Sequence, residues 1–295
     1  MTNFGLLRID RMLTLFCVAP FINRKLKSLR SVPVLMYHSI APDDTDGRRH
    51  AYYGLTTSGE VFLSQMKYLH QHHYEALGIE EVFERLADGG TLNSKKVVAI
   101  TFDDGFEDFL TAAFPVLQHY GFSATVFLPT GYIGKDRRRF NGRNCLIWDE
   151  VRKLHACGIR FGSHTVTHPQ LKILKKKDIK GELLRSKETI ENILGTQVDD
   201  FSYPYAFPSS DRSLKRFLRS TLKECGYRTG VTTSIGTTSS TGDIFLCKRL
   251  PINSGDDTRL FKAKLEGCYD WVYSLQLIYK YLMYNISIRI KNLAR

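Results

Sequence analysis

KVVAITFDDG, residues 96–105, runs from the apolar stretch Val97 to Ile100 straight into two adjacent carboxylates, Asp103 and Asp104. A short apolar run closed by turn residues reads as a buried strand that has reached its end. Asp and Gly favour turns for local hydrogen-bonding and φ > 0 reasons, so the pair signifies chemistry only if the rest of the chain supplies partners. On either side of it, strand-like and helix-like stretches alternate. "VPVLMYHSI" (32–40) is β-rich, and "SGEVFLSQMKYLHQHHYEAL" (58–77) has helical periodicity behind a Ser58 start signal. Then follow a helix ended by Gly121, the strand "SATVFLPTGYIG", a helix from Trp148 ended by Gly158, the strand "IRFGSHTVTH", a helix ended by Gly195, and the strand "VDDFSYPYA". Units of this length predict an α/β fold with a parallel sheet closed or nearly closed into a barrel. Ligands of such folds sit at the carboxyl ends of the strands, where the DD pair falls.

Three further clusters fall at inferred strand ends. "GSHTVTHPQL" spaces His164 and His168 four apart, but three β-branched residues lie between them and Pro169 follows, so a loop is expected rather than a helix. Two neutral imidazoles and one carboxylate make an open zinc site with a position left for water. "FSYPYAFPSS" (201–210) offers Tyr203, Pro204 and Tyr205, an aromatic and proline turn able to line a sugar site and aim a backbone N–H at an oxyanion. In "MYHSI", His38 ends the first strand.

Composition narrows the choices. The 295 residues are 43% apolar, enough for one large domain or two small ones. Lys plus Arg number 42 against 30 Asp plus Glu, a net +12 that favours anionic partners. No aromatic-interleaved recognition motif is present, which disfavours nucleic acid. The six cysteines form no C-x-x-C pair and are sparse for a stapled secreted domain, so reduced, mostly buried thiols are expected.

Together the motifs resemble the polysaccharide deacetylase family (carbohydrate esterase family four), over about Val32 to Asn253. "TFDDG" is similar to its first motif, "HTVTH" to its second and "SYPYA" to a variant of its third. The resemblance implies a distorted (β/α) barrel that removes N-acetyl groups from an acetamido sugar of a polysaccharide or glycan precursor. Alternatives are deformylation or deacetylation of a polyprenyl-phosphate-linked sugar, and a non-catalytic carbohydrate-binding protein of the same fold. By the same resemblance Asp104, His164 and His168 bind a divalent metal, Zn²⁺ with Co²⁺ or Ni²⁺ as substitutes, while Asp103 is the general base and Tyr205 supplies an oxyanion N–H. Tyr203, Pro204 and Trp148 are expected at the substrate and Asp149 in support. Adjacent aspartates are expected to diverge through the alternation of an extended segment. Two features depart from the family. Ser202 and Tyr203 stand where members often place an arginine that pairs with the base, and "FLCKRLPIN" (245–253) lacks the histidine of the late Leu-x-His motif. In the branch with an early "YHS", a first-strand histidine resembles the replacement acid, and His38 matches it.

The ends fall outside the resemblance. Residues 1–30 read as a basic amphipathic lead-in, 31–255 as the catalytic domain and 256–295 as an aromatic and basic helical extension. Met12 to Ile22 is too short to span a bilayer, and no small-residue cleavage site precedes Val32. From Trp271 on, Leu275, Ile278, Leu282, Ile286, Ile290 and Leu293 recur at three- or four-residue steps with no acidic residue. The expectation is a cytoplasmic protein in peripheral contact with anionic membrane, acting on an N-acetylated or lipid-linked glycan, with a signal anchor as the alternative.

Overall fold

The computed structural model describes residues 8–22, 31–42, 55–87 and 96–293, with side chains through residue 282 in the last helix. Seven strands close into a parallel barrel: β1 (Val34–Tyr37), β2 (Lys96–Phe102), β3 (Thr125–Leu128), β4 (Arg160–Ser163), β5 (Asp200–Ser202), β6 (Thr229–Ile235) and β7 (Cys247–Pro251). Each pairs with its successor in the chain, and β7 returns to β1 with Leu250 beside Leu35. A further short strand, Tyr74–Ala76, edges β2. β1, β2 and β3 read as near-continuous apolar runs, as parallel strands covered by helices do, whereas β4 to β7 carry more polar residues.

The helices are α1 (Gly59–Gln71), α2 (Ile79–Ala87), α3 (Phe114–Tyr120), α4 (Trp148–Ala156), α5 (Lys176–Leu194), α6 (Arg212–Glu224), α7 (Thr258–Leu265) and α8 (Val272–Leu293). Ser58 starts α1 as expected, its side chain accepting from Val61 N at 3.3 Å. Helical periodicity overshoots there: α1 stops at Gln71, His73 takes φ +57°, and 74–76 pair with β2 as a strand. Gly121, Gly158 and Gly195 follow their helices at φ +69°, +89° and +68°, the left-handed backbone that glycine adopts without a Cβ clash.

The expected boundary at residue 255 does not coincide with an edge of the core. Leu260, Phe261 and Leu265 of α7, with Tyr269 and Val272, join the same buried cluster as the barrel. The segment 8–22 packs on this region, with Ala19 against Ala263 and Cys268. Side chains of Arg24, Lys25, Lys27 and Arg30, and of Ile286, Ile290 and Leu293, lie outside the described set. No helix among the described residues is long and apolar enough to cross a membrane. Cys145, Cys225, Cys247 and Cys268 are buried, and Cys17 and Cys157 exposed.

Candidate active site

Strand β2 delivers the two aspartates, and they diverge by a turn rather than by extended alternation. Asp103 N still donates to Tyr37 O on β1 at 3.0 Å, whereas Asp104 takes φ +72° and Gly105 φ +58°. A Cβ on Gly105 would lie 2.7 Å from Leu128 Cδ2, so the turn packs closely against β3. The left-handed step sends the Asp104 carboxylate toward two imidazoles: its Oδ1 is 3.6 Å from His164 Nε2 and 3.4 Å from His168 Nε2.

Those imidazoles come from the loop after β4, which is not helical. Thr165 (φ +68°) and His168 (φ +53°) both adopt left-handed backbone, rare for a β-branched residue. The surroundings hold them there. Glu182 of α5 accepts from Val166 N and Thr167 N, both at 2.8 Å, and from the Thr167 hydroxyl at 2.9 Å. Thr165 Oγ1 accepts from His168 N at 3.0 Å, and the 130–131 turn donates to Thr165 O and Val166 O. Strained φ values held by many bonds are a mark of functional loops.

Asp104, His164 and His168 bring donor atoms within 4.8 Å of one another. Asp104 Oδ1 is buried and has no hydrogen-bond partner. His164 Nδ1 lies 2.7 Å from the Ser202 carbonyl, so that nitrogen carries the proton and Nε2 presents its lone pair to Asp104. Burial, reinforced for His168 by His164, keeps both rings neutral, His168 down to about 3. Burial and the neighbouring Asp103 push Asp104 up to about 8, with Arg249 opposing weakly. Two neutral imidazoles and an orphaned carboxylate that lacks a countercharge are the donor set of a divalent cation.

Asp103 has the opposite electrostatics. Burial alone would raise its carboxyl, but Arg249 and then His164 outweigh it and hold it well below the usual carboxylate range. Arg249 of β7, fully buried, reaches Asp103 Oδ1 at 2.8 Å and Oδ2 at 2.7 Å. The Ser202 hydroxyl donates to Asp103 at 3.1 Å and accepts from Arg249 at 3.0 Å. The arginine absent from the third motif is thus supplied from the "FLCKRLPIN" strand. Its signal in the sequence was the Lys248–Arg249 pair inside an otherwise largely apolar strand run.

His38 joins the cluster, its Nε2 3.9 Å from Asp103 Oδ2. Burial lowers it to about 4, Arg249 and His164 adding to the effect and Asp103 opposing it, so the ring is neutral. Tyr205 lies across His168, ring centroids 4.7 Å apart, with Phe140 at 4.9 Å on the same imidazole. Tyr205 has φ +56° and is half exposed; among the described residues its N–H has no protein acceptor.

Other expected positions fare differently. Tyr203 turns inward against Phe201 and Phe207 and is 1% exposed, its buried hydroxyl unpartnered. With Pro204, Tyr205 and Leu171 it borders a cavity of about 220 Å³ beside the site. Trp148 is half-buried at the start of α4 and packs on the core. Asp149 is corrected: its side chain is 65% exposed and pairs with Arg152, away from every residue above. Its neighbour Glu150 does the local work, accepting from Ile147 N at 3.0 Å and pairing with Arg137 at 2.7 Å.

Comparison with known proteins agrees with this geometry. A family model described as Polysaccharide deacetylase matches residues 91–230. YxkH of Bacillus subtilis, assigned to the polysaccharide deacetylases, is 30% identical over 239 residues, covering 80% of this chain and 76% of the relative. The poly-β-1,6-N-acetyl-D-glucosamine N-deacetylase of Staphylococcus aureus (strain MRSA252) is 26% identical over 166 residues, 53% of this chain and 56% of the relative. Among solved structures, the Streptococcus pyogenes deacetylase PplD in complex with acetate superposes with a TM-score of 0.67 at 25% identity, covering 80% of this chain and 98% of that one.

Proposed function

This chain belongs to the polysaccharide deacetylase family, hydrolases of amide bonds in polysaccharides, and we propose that it removes acetyl groups from N-acetylated hexosamine units of a glycan by metal-assisted hydrolysis. The observation that carries the reading is the unlike environment of the two adjacent acids. Asp104 faces two imidazoles with an orphaned oxygen, and Asp103 is clamped by Arg249. Asp104, His164 and His168 would hold the divalent metal, which when bound lowers the pKa of a coordinated water and polarises the acetamide carbonyl. Zn²⁺ suits this mixed set of imidazole and carboxylate donors, with Co²⁺ and Ni²⁺ as substitutes.

The chain's own groups divide the remaining work. Asp103, ionised and held in orientation by Arg249 and Ser202, takes the proton of the attacking water. The Tyr205 N–H donates to the oxygen on which negative charge develops. The C–N bond then breaks to give acetate and a free amine, which needs a proton. His38 starts neutral, so the proton it delivers must come from the reaction, and the Asp103 carboxylate 3.9 Å away is its nearest source. Pro204 and Tyr205, at the mouth of the adjoining cavity, would contact the neighbouring sugar.

A β-linked N-acetylglucosamine polymer is the first substrate to try, since the relative from Staphylococcus aureus is named for one. The finer reading of a glycan presented at a membrane rests on the two ends of the chain and not on the site. The test is acetate and free amine released from β-1,6- and β-1,4-linked N-acetylglucosamine oligomers. Chelation should abolish release, and Zn²⁺, Co²⁺ or Ni²⁺ should restore it. Full turnover by metal-free protein, or no acetate from any N-acetylated glycan, overturns the proposal.

A further inference from the structure

Two helical segments flank the barrel and each turns an apolar stripe to solvent. Residues 8–22 and the start of α8 meet where Trp271 Nε1 donates to Thr14 Oγ1 at 3.0 Å. On the first segment, Leu15, Ala19 and Ile22 pack inward beside Ala263 and Cys268, and three polar side chains also turn inward. Arg8 reaches the buried Asp256 at 3.4 Å, Asp10 accepts from the Tyr269 hydroxyl at 2.7 Å, and Thr14 is fully buried. On α8, Gln276 donates to Thr233 O at 3.0 Å and accepts from Ile235 N at 3.1 Å, while Lys280 donates to Phe207 O at 2.8 Å.

Other apolar side chains of both segments turn outward. Ile9, Met12, Leu13 and Phe16 are 63%, 45%, 38% and 67% exposed, and Leu275, Ile278, Tyr279 and Leu282 are 52%, 56%, 65% and 54% exposed. Both sets follow steps of three, four and seven residues, one face of a helix, and Phe21 stands 85% exposed beyond the first. Isolated exposed apolar residues are ordinary, but two ordered stripes facing solvent are not. The expected face of Leu275, Ile278 and Leu282 is therefore present and points away from the barrel, while Trp271 turns in toward Thr14.

We propose that these two stripes dock the protein onto an anionic phospholipid surface, each segment lying in the interface with its apolar side chains inserted. Charge selects this occupant. Residues 1–30 contain six Lys or Arg against one acid, Asp10, and residues 271–295 four against none; Arg8, Arg11 and Lys280 are engaged by Asp256, Asp257 and the Phe207 carbonyl, so the excess lies in the other seven. Outward apolar residues, tyrosines at the headgroup boundary and nearby cations are the composition of an interfacial helix. The docking also bears on the site. Lys280 holds the Phe207 carbonyl, and Thr233, bonded by Gln276, donates from its hydroxyl to Tyr205 O at 3.0 Å and accepts from Phe207 N at 3.0 Å. The same helix that meets lipid therefore carries the loop beside the candidate metal ligands.

The test is flotation of the full chain with phosphatidylglycerol–phosphatidylcholine vesicles at low salt, read without substrate and so independently of the proposed reaction. The expected result is binding that weakens with salt and with phosphatidylcholine alone. The variant Phe16→Ser/Ile278→Ser/Leu282→Ser should lower the partition coefficient by about tenfold or more, since it removes three inserted apolar side chains. Its circular dichroism and thermal unfolding should match the parent, because all three positions are exposed. Folded parent protein left in the unbound fraction overturns the proposal, as does a variant that floats equally well. So does a stripe-mediated dimer in sedimentation that binds no vesicles.

Discussion

Arg249→Met would strand the Asp103 carboxylate in the barrel. The guanidinium makes five hydrogen bonds: to Thr232 O, Thr101 Oγ1, Ser202 Oγ and both oxygens of Asp103. Arg249 is 0% and Asp103 2% exposed, so water cannot replace what is lost. Removing one partner of a buried ion pair costs about 3–5 kcal/mol, and that range is the expected loss for Arg249→Met. Asp103→Asn leaves the buried guanidinium its three neutral acceptors but no countercharge, and should cost a comparable amount. With both partners gone, no buried charge is left unpaired. The double variant should then be more stable than the sum of the singles by at least about 2 kcal/mol. Urea unfolding at a fixed metal concentration, with the slope compared across all four proteins, measures the coupling. Arg249→Lys retains charge but not the two-pronged grip on the carboxylate, so it should stay folded and keep its metal while kcat falls by about 10- to 100-fold. Additive stabilities in the cycle, or an unchanged kcat in Arg249→Lys, would refute the clamp.

Four other outcomes are expected. Asp103→Asn should keep stoichiometric metal and lose about 10²-fold or more in kcat, whereas Asp104→Asn should chiefly lose metal, as elemental analysis beside acetate release will show. His38→Ala should fold and bind metal but turn over about 10²-fold more slowly; an unfolded variant would make His38 a packing residue instead. Burial pushes Asp200 up to about 6 from 3.8, the Thr229 hydroxyl opposing, so folding favours its protonated form and that stability is lost as pH rises from about 4 through 6. Asp200→Asn should raise the unfolding temperature at pH 7, by on the order of 1–3 kcal/mol in stability, with the difference gone near pH 4. A Cβ at Gly162 would lie 2.5 Å from Phe127 Cε1 and 2.8 Å from Asp200 O, so Gly162→Ala should cost about 1–3 kcal/mol in the same unfolding assay.

What could be read in the sequence follows from the range of each interaction. The run into Asp103, the His164 and His168 spacing and Ser58 are local signals, and the barrel and donor set they imply are present. Glu182 and Arg249 are not local. Glu182 lies on α5, 16 positions beyond Val166, and Arg249 on β7, 146 positions beyond Asp103, which it reaches only once the barrel closes. A segment searched for a missing histidine gives no reason to weigh its arginine. Asp149 failed in the other direction, because nearness to a motif in sequence placed it on the solvent side of a helix's first turn. The strand at 74–76 was lost to helical periodicity that continued past a chain reversal at His73.

Asp104, Thr165, His168 and Tyr205 share a left-handed backbone that L-residues other than asparagine and aspartate seldom take. In directed evolution these positions would oppose the experimenter's two aims. Each left-handed residue holds about 1–2 kcal/mol of local strain that glycine would release in part. A screen for heat tolerance alone should therefore enrich glycine or asparagine at Thr165, His168 and Tyr205, and winners changed at His168 would lack a metal ligand. Rounds that alternate thermal challenge with acetate release should leave these positions untouched and accumulate changes at the far end of the barrel, around Asp200.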